Sequence, residues 1–198
     1  MDHKEFFNSM AENWDNICYH DENKINEILD LINVGQGFKV LDVGTGTGVM
    51  IPFLTSRTGD SGEIVAVDAA DKMILVAKSK FTAPNIKFIA GNIFTLQLKP
   101  EQFDLIMCYS VFPHFENKPA VPERLGKFLK PGGKIAVCHS QSRDEINALH
   151  RNASAEVSED YLPEAGVIKS YFSNSGFETV VNIDDTRMFV VVGQKKQK

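Results

Sequence analysis

The spacing of hydrophobic residues changes several times along the chain, and each change marks an element. Ile25, Ile28, Leu29 and Ile32 fall at i, i+3, i+4 and i+7, which gathers them on one helical face, with Gly35 and Gly37 expected to close the segment. Ahead of them, Phe6, Met10 and Trp14 recur every four residues and predict a shorter amphipathic helix. From Phe38 to Val43 a short apolar run predicts a first strand, and Met50 to Leu54 a helix in which Pro52 is tolerable only near the start. Ile64 to Val67 reads as a second strand, followed by a helix with Met73, Val76 and Ala77 inward. Ile86 to Ala90 and Phe103 to Tyr109 read as strands three and four. Val121, Leu125, Phe128 and Leu129 mark another helix, stopped by Pro131-Gly132-Gly133, and Lys134 to Cys138 is a fifth strand.

Strands alternating with helices in this way imply βαβ units and a mostly parallel sheet. A polar helix is expected over Arg143 to Arg151, then one containing Leu162, Ile168 and Phe172 with Gly176 as its stop. Phe177 to Ile183 and Arg187 to Val192 are separated by only Asp184-Asp185-Thr186, a connection short enough to demand an antiparallel pair. The expectation is an α/β fold, a doubly wound and mostly parallel sheet closed by a C-terminal hairpin.

Length fits one domain, since 198 residues can be served by a single hydrophobic core. The reading divides it into an N-terminal helical lid (1–34), a ligand-binding core (35–140), and substrate-side helices with the terminal hairpin (141–198). With 21 Lys+Arg against 26 Asp+Glu, the formal charge of -5 disfavours nucleic acid as a partner, because a duplex-binding surface needs a cationic excess. No apolar run is long enough to span a bilayer, and the charged start leads into no export segment, so the expected location is cytoplasmic. Cys18, Cys108 and Cys138 are an odd set without CxxC spacing; Cys108 and Cys138, set in apolar runs, read as buried small hydrophobes.

The densest chemistry lies in Val40-Leu41-Asp42-Val43-Gly44-Thr45-Gly46-Thr47-Gly48, a strand running through a glycine-rich turn into a helix. Missing Cβ atoms let a ligand approach the backbone there, and helix-start N–H groups offer polar anchors. Asp68 ends the second strand, where a carboxylate can accept from both ribose hydroxyls of a nucleoside lying across the two strand tips. The glycines fall as G-x-G-x-G. In either alignment the third glycine of the dinucleotide pattern is missing, replaced by Val49 or Ile51. Asp42, two residues before the loop, suits a cationic ligand better than an anionic pyrophosphate, and no Gly-Lys-Ser/Thr follows for a Walker-type loop.

These blocks, with Ile86 to Leu96, Phe103 to Phe115 and Leu129 to Ser140, resemble the class I S-adenosylmethionine-dependent methyltransferases, most closely those related to the quinone-biosynthesis C-methyltransferases. The resemblance implies a seven-stranded sheet of order 3-2-1-4-5-7-6 with strand 7 antiparallel. It also implies S-adenosylmethionine as cofactor and S-adenosylhomocysteine as product. By the same resemblance, Asp42 would hold the methionyl ammonium. Gly44, Thr45, Gly46 and Gly48 would lie along the methionyl and ribose portions. Asp68, with Ala69 beside it, would take the ribose hydroxyls, and Met73 would pack on the adenine. Asn92, beside Ile93, stands where the family more often has Asp, and its side-chain oxygen would accept from the adenine amine; Tyr109 would line the methionyl portion.

The acceptor side carries the features least typical of the family. His114 follows strand four, His139 ends strand five, and a helix over Arg143 to Arg151 would put Arg143, Asn147 and His150 on one face. Three readings of His114, His139 and His150 stay open: ordinary capping and surface roles, substrate recognition or acid-base catalysis, or a metal site, joined by Glu145. On the opposite wall, Phe6, Met10 and Trp14 would close over the cofactor, with Tyr19-His20 facing the acceptor. The function expected is methyl transfer to a small molecule. Alternatives are a cofactor-binding module without catalysis that serves a partner protein, and a nicotinamide-dependent oxidoreductase, which the glycine spacing disfavours.

Overall fold

The computed structural model describes residues 2–197. Seven strands form one sheet: β1 (Lys39–Val43), β2 (Glu63–Asp68), β3 (Ile86–Ala90), β4 (Phe103–Tyr109), β5 (Leu129–His139), β6 (Phe177–Asp184) and β7 (Phe189–Lys195). Their order is β3-β2-β1-β4-β5-β7-β6, with β7 antiparallel to both neighbours and all other pairs parallel.

Alternation along the strands divides the core into two layers. Leu41, Val65, Ile106, Cys108, Ile135 and Phe189 face one side. There they meet α6 (Val121–Gly126), α7 (Arg143–Arg151) and α8 (Ala165–Asn174). Val40, Ile64, Met107, Cys138 and Val190 face the other, against α3 (Glu22–Ile32) and α4 (Ile51–Thr58). Cys108 and Cys138 are fully buried, and burial raises both thiols well above their ordinary values, as inert core residues require. Pro52 sits in the first turn of α4, where its missing N–H has no intrahelical partner to lose.

Two expected boundaries shift for identifiable reasons. The helix of residues 25–32 stops one turn before Gly35, because Asn33 adopts the left-handed conformation (φ 60°) and its N–H bonds back to Asp30. Leu129 belongs to β5 rather than to a helix. It pairs with Phe103, after which residues 130–133 bulge out before the ladder resumes at Leu105 and Lys134, with Gly132 at φ +78°. Pro131-Gly132-Gly133 interrupts a strand here and does not precede one. Leu162 lies ahead of α8, buried in the connecting segment.

Two short N-terminal helices, α1 (His3–Met10) and α2 (Trp14–Ile17), lie over the C-terminal ends of β1 and β2 and pack on α5 (Asp71–Lys80). Asp2 caps α1 through a reciprocal bond pair with Glu5. Among the described residues, no helix is long and apolar enough to cross a membrane.

Candidate active site

In an open parallel sheet the crevice lies at the carboxyl ends of the strands, where the order reverses between β1 and β4. A cavity of about 740 Å³ opens there. The chain makes its floor by turning sharply at Gly44 and Gly46, both at positive φ (69° and 55°). The amides of Gly44 and Thr45 donate to the Val67 carbonyl at 2.8 and 3.0 Å, which ties the loop to β2. Because α4 begins only at Ile51, these loop amides are held by the protein's own backbone instead of forming a free helix N-terminus. A Cβ on Gly44 would stand 2.2 Å from Val111 Cγ2, so a close approach requires glycine there. Gly48 has a different duty: its missing Cβ accommodates the Phe81 ring, and it is not on the cavity wall.

Asp68 closes one end of the cavity. Its Oδ2 accepts from Gly46 N–H and its Oδ1 from Ala70 N–H, both at 2.8 Å. Burial raises its pKa, partly offset by those two amides. Asp42 lies beneath the loop, 1% exposed and off the cavity wall, accepting from Thr45 Oγ1 at 2.6 Å. Burial, opposed by the Thr45 hydroxyl and reinforced by the charge of Asp68, pushes it up to about 7. Gly44, Thr45, Gly46, Asp68, Ala69, Met73, Asn92, Ile93 and Tyr109 all line this one cavity. The Asn92 side-chain oxygen accepts from Phe94 N–H at 2.9 Å, so an adenine amine would have to share it.

At the other end Tyr109 projects from β4, and the following residue, Ser110, is held in the left-handed region (φ 53°), a strained conformation typical of sites where backbone position matters. The Tyr109 hydroxyl donates to Ser140 Oγ at 2.8 Å and meets His20 Nδ1 at 3.1 Å. When the Tyr109 proton goes to Ser140, the His20 contact takes an Nδ1–H donor and leaves Nε2 as the acceptor; when Ser140 donates to Tyr109 instead, Tyr109 can donate to Nδ1 and Nε2 carries the proton. Burial lowers the His20 pKa, opposed by Asp15, and so favours the neutral ring.

The N-terminal wall is built by Phe7 and Trp14, 5.5 Å apart edge to face, and not by Phe6 or Met10. His20 lines the cavity while Tyr19 is exposed. Asp15 fastens this wall, accepting from Thr47 Oγ1 in the loop and from Lys80 Nζ of α5.

The three histidines separate. His114 lines the cavity, with Nδ1 2.6 Å from Asp160 Oδ2. His150 packs on the His114 ring at 5.1 Å and directs Nδ1 at the Asp160 carbonyl, one step back from the cavity wall. His139 departs from the expectation. Its register opposite Phe189 turns the ring into the protein, 1% exposed, with both ring nitrogens lacking hydrogen bonds, and it is not on the cavity wall. Glu145 caps α7 through Ser142, and Asn147 bonds both backbone groups of Leu162, so neither joins a ligand cluster. The groups that do gather around His114 are His3 and Asp160. Neither has a sequence signal, because each comes from a segment remote from His114 and is brought in only by the fold.

Comparison with known proteins agrees with this geometry. A family model described as a methyltransferase domain matches residues 35–182. An uncharacterized methyltransferase-like protein of Schizosaccharomyces pombe is 33% identical over 107 residues, 54% of this chain and 40% of that protein. The ubiquinone/menaquinone biosynthesis C-methyltransferase UbiE of Shewanella sp. (strain W3-18-1) is 31% identical over 115 residues, 56% of this chain and 46% of that enzyme. The match thus spans less than half the length of these relatives. Among solved structures, a SAM-dependent methyltransferase from Aquifex aeolicus superposes with a TM-score of 0.70 at 20% identity, covering 86% of this chain and 88% of that one. A complex of the Haloferax volcanii Trm112 methyltransferase activator with a putative methyltransferase gives 0.74 at 15% identity, covering 100% and 99%. The chain belongs to the methyltransferase domain family and has the class I S-adenosylmethionine-dependent methyltransferase fold.

Proposed function

We propose that the protein transfers a methyl group from S-adenosylmethionine to a small-molecule acceptor. The observation that carries this reading is that one cavity runs without interruption from Asp68 and Asn92 to His20 and His114. Its volume of about 740 Å³ lies within the ~300–1,000 Å³ of small-molecule sites. A site filled by bulky side chains beyond Tyr109 would favour a non-catalytic module instead.

The cofactor's ribose hydroxyls would take the Asp68 carboxylate, the adenine would lie by Met73 and Ile93, and the methionyl portion by Thr45 and Tyr109. The acidic pair Asp42 and Asp68 suits a ligand with an ammonium and a sulfonium charge. In the transfer, the S–CH₃ bond would break with its electron pair going to sulfur, while an electron pair of the acceptor atom, whether C, N, O or S, would form the new bond to carbon in line. The protein's part is to align the two and exclude water. An acceptor that loses a proton can pass it to His20 Nε2 in the tautomer that carries the ring proton on Nδ1. His114 fits as an acceptor contact, with His150 supporting it, and His139 fits a structural role. Segment 1–34 serves as the lid, 35–140 as the cofactor core and 141–198 as the acceptor side. The three unpaired cysteines suit the reducing cytoplasm.

The test is acceptor-dependent formation of S-adenosylhomocysteine from S-adenosylmethionine, using fractionated small metabolites. Turnover with a small-molecule fraction, reduced about 100-fold or more by His20→Gln without loss of S-adenosylhomocysteine affinity, is the expected result. Turnover only with protein or nucleic acid, or none with any fraction, would contradict the proposal.

A further inference from the structure

Three side chains from separate segments converge at the acceptor end: His3 in α1, His114 just after β4, and Asp160 between α7 and α8. His3 Nε2 lies 3.0 Å, and His114 Nδ1 2.6 Å, from the same carboxylate oxygen, Asp160 Oδ2. One ligand atom from each residue falls within a common 4.8 Å. His3 Nε2 is shielded from solvent and forms no hydrogen bond despite its short distance to the carboxylate. Two imidazoles and one carboxylate oxygen are a donor set suited to divalent first-row metals.

We propose that His3, His114 and Asp160 bind a divalent metal ion of the zinc type, which staples α1 to the acceptor wall. Metal–ligand distances of ~2.0–2.2 Å place neighbouring tetrahedral ligand atoms roughly 3.3 Å apart. The nitrogen–oxygen pairs, now at 3.0 and 2.6 Å, therefore need to open by roughly 0.3 and 0.7 Å to reach that spacing. His150 supports the arrangement, packed on the His114 ring and held to the Asp160 carbonyl, as ligand-orienting neighbours do in metal sites. Because His3 and His114 both line the cavity, the remaining coordination position opens towards it, where water or an oxygen of the acceptor would complete the shell. This set shares only His114 with the cluster expected from the sequence. It uses Nδ1 of His114 and leaves His20 untouched, so it does not depend on the assignment of the methyl donor.

The test is calorimetric titration of zinc chloride into the whole untagged chain after chelator treatment, followed by trypsin cleavage at Lys4 with and without zinc. One zinc per chain is expected. His3→Ala and His114→Ala should each weaken it by more than the ~10–100-fold that loss of an outer-sphere partner costs, whereas Cys18→Ser leaves it unchanged. Zinc should slow cleavage at Lys4 in the wild type and not in His3→Ala. Equal affinity in the wild type and both histidine variants, or loss of binding with Cys18→Ser, would overturn the proposal, as would cleavage indifferent to zinc. Because His3 is only partly buried on a peripheral helix, His3→Ala retains the core, and its circular dichroism should match the wild type.

Discussion

The backbone N–H of Gly46 donates to Asp68 Oδ2 at 2.8 Å, joining the glycine loop to the tip of β2 before any ligand arrives. Loop and carboxylate are therefore one pre-organised unit, and a nucleoside that reaches Asp68 finds the loop already in position.

Asp68→Ala should weaken S-adenosylhomocysteine binding by about 1–3 kcal/mol, or roughly 5–150-fold, the scale of losing hydrogen bonds to a charged group. Asp68→Asn, which keeps an acceptor oxygen for one of the two amides, should lose less. Calorimetric titration of the three proteins checks the order.

Gly44→Ala should destabilise the fold by about 1–3 kcal/mol, because its Cβ would strike the Val111 side chain at 2.2 Å while φ remains at +69°. Adding Val111→Ala should recover part of that loss and leave the backbone strain. At Gly46 the nearest heavy atom to an added Cβ is 3.8 Å away, so Gly46→Ala should cost less in stability, about 1 kcal/mol. Urea unfolding midpoints of the four proteins measure each contribution.

His139 should make the fold sensitive to acid. Burial, reinforced by the charges of His114, His150 and His20, lowers its pKa to about 3, whereas the unfolded chain takes up the proton near pH 6.5. The unfolded state then binds more protons between these values, and stability falls as pH drops below about 6.5. His139→Leu removes that proton uptake and two unpartnered buried nitrogens, so its urea midpoint at pH 5 should exceed that of the wild type and its decline from pH 7 to 5 should be shallower.

Asp42 has the opposite sign. With its pKa raised to about 7, the folded state holds a proton that the unfolded chain releases near pH 4, so this residue's contribution falls as pH rises from 4 to 7. A cationic ligand end beside the loop favours the ionised form. Affinity for S-adenosylhomocysteine should therefore rise between pH 6 and 8, by up to about tenfold per unit below pH 7, and Asp42→Asn should flatten that profile. Titrations at pH 6, 7 and 8 decide it.

Much of the architecture was legible because periodicity is local. The bounds of β3, β4 and α7 coincide with the expected segments. The start of β5 was not legible, because a Pro-Gly-Gly run inside a strand looks like a stop until its partner strand resumes the ladder across the bulge. The juxtaposition of the glycine loop and Asp68 was legible too, because the two lie at the tips of consecutive strands that pair. Orientation at the acceptor end was not. Whether His139 faces the cavity depends on its pairing with Phe189 in a strand formed much later in the chain. Phe7 replaces Phe6 and Met10 at the wall because it packs with Trp14 on Ala70 and Met73, a contact between distant segments that no spacing rule sets.

The central claim is that the cavity beside Asp68 holds S-adenosylmethionine. Calorimetric titration of the whole chain with S-adenosylhomocysteine and, separately, NAD at pH 8 tests it most directly. The account predicts one saturable site for S-adenosylhomocysteine, weakened by Asp68→Ala, and no heat of binding with NAD. Silence with S-adenosylhomocysteine, or saturable NAD binding abolished by the same substitution, would contradict it.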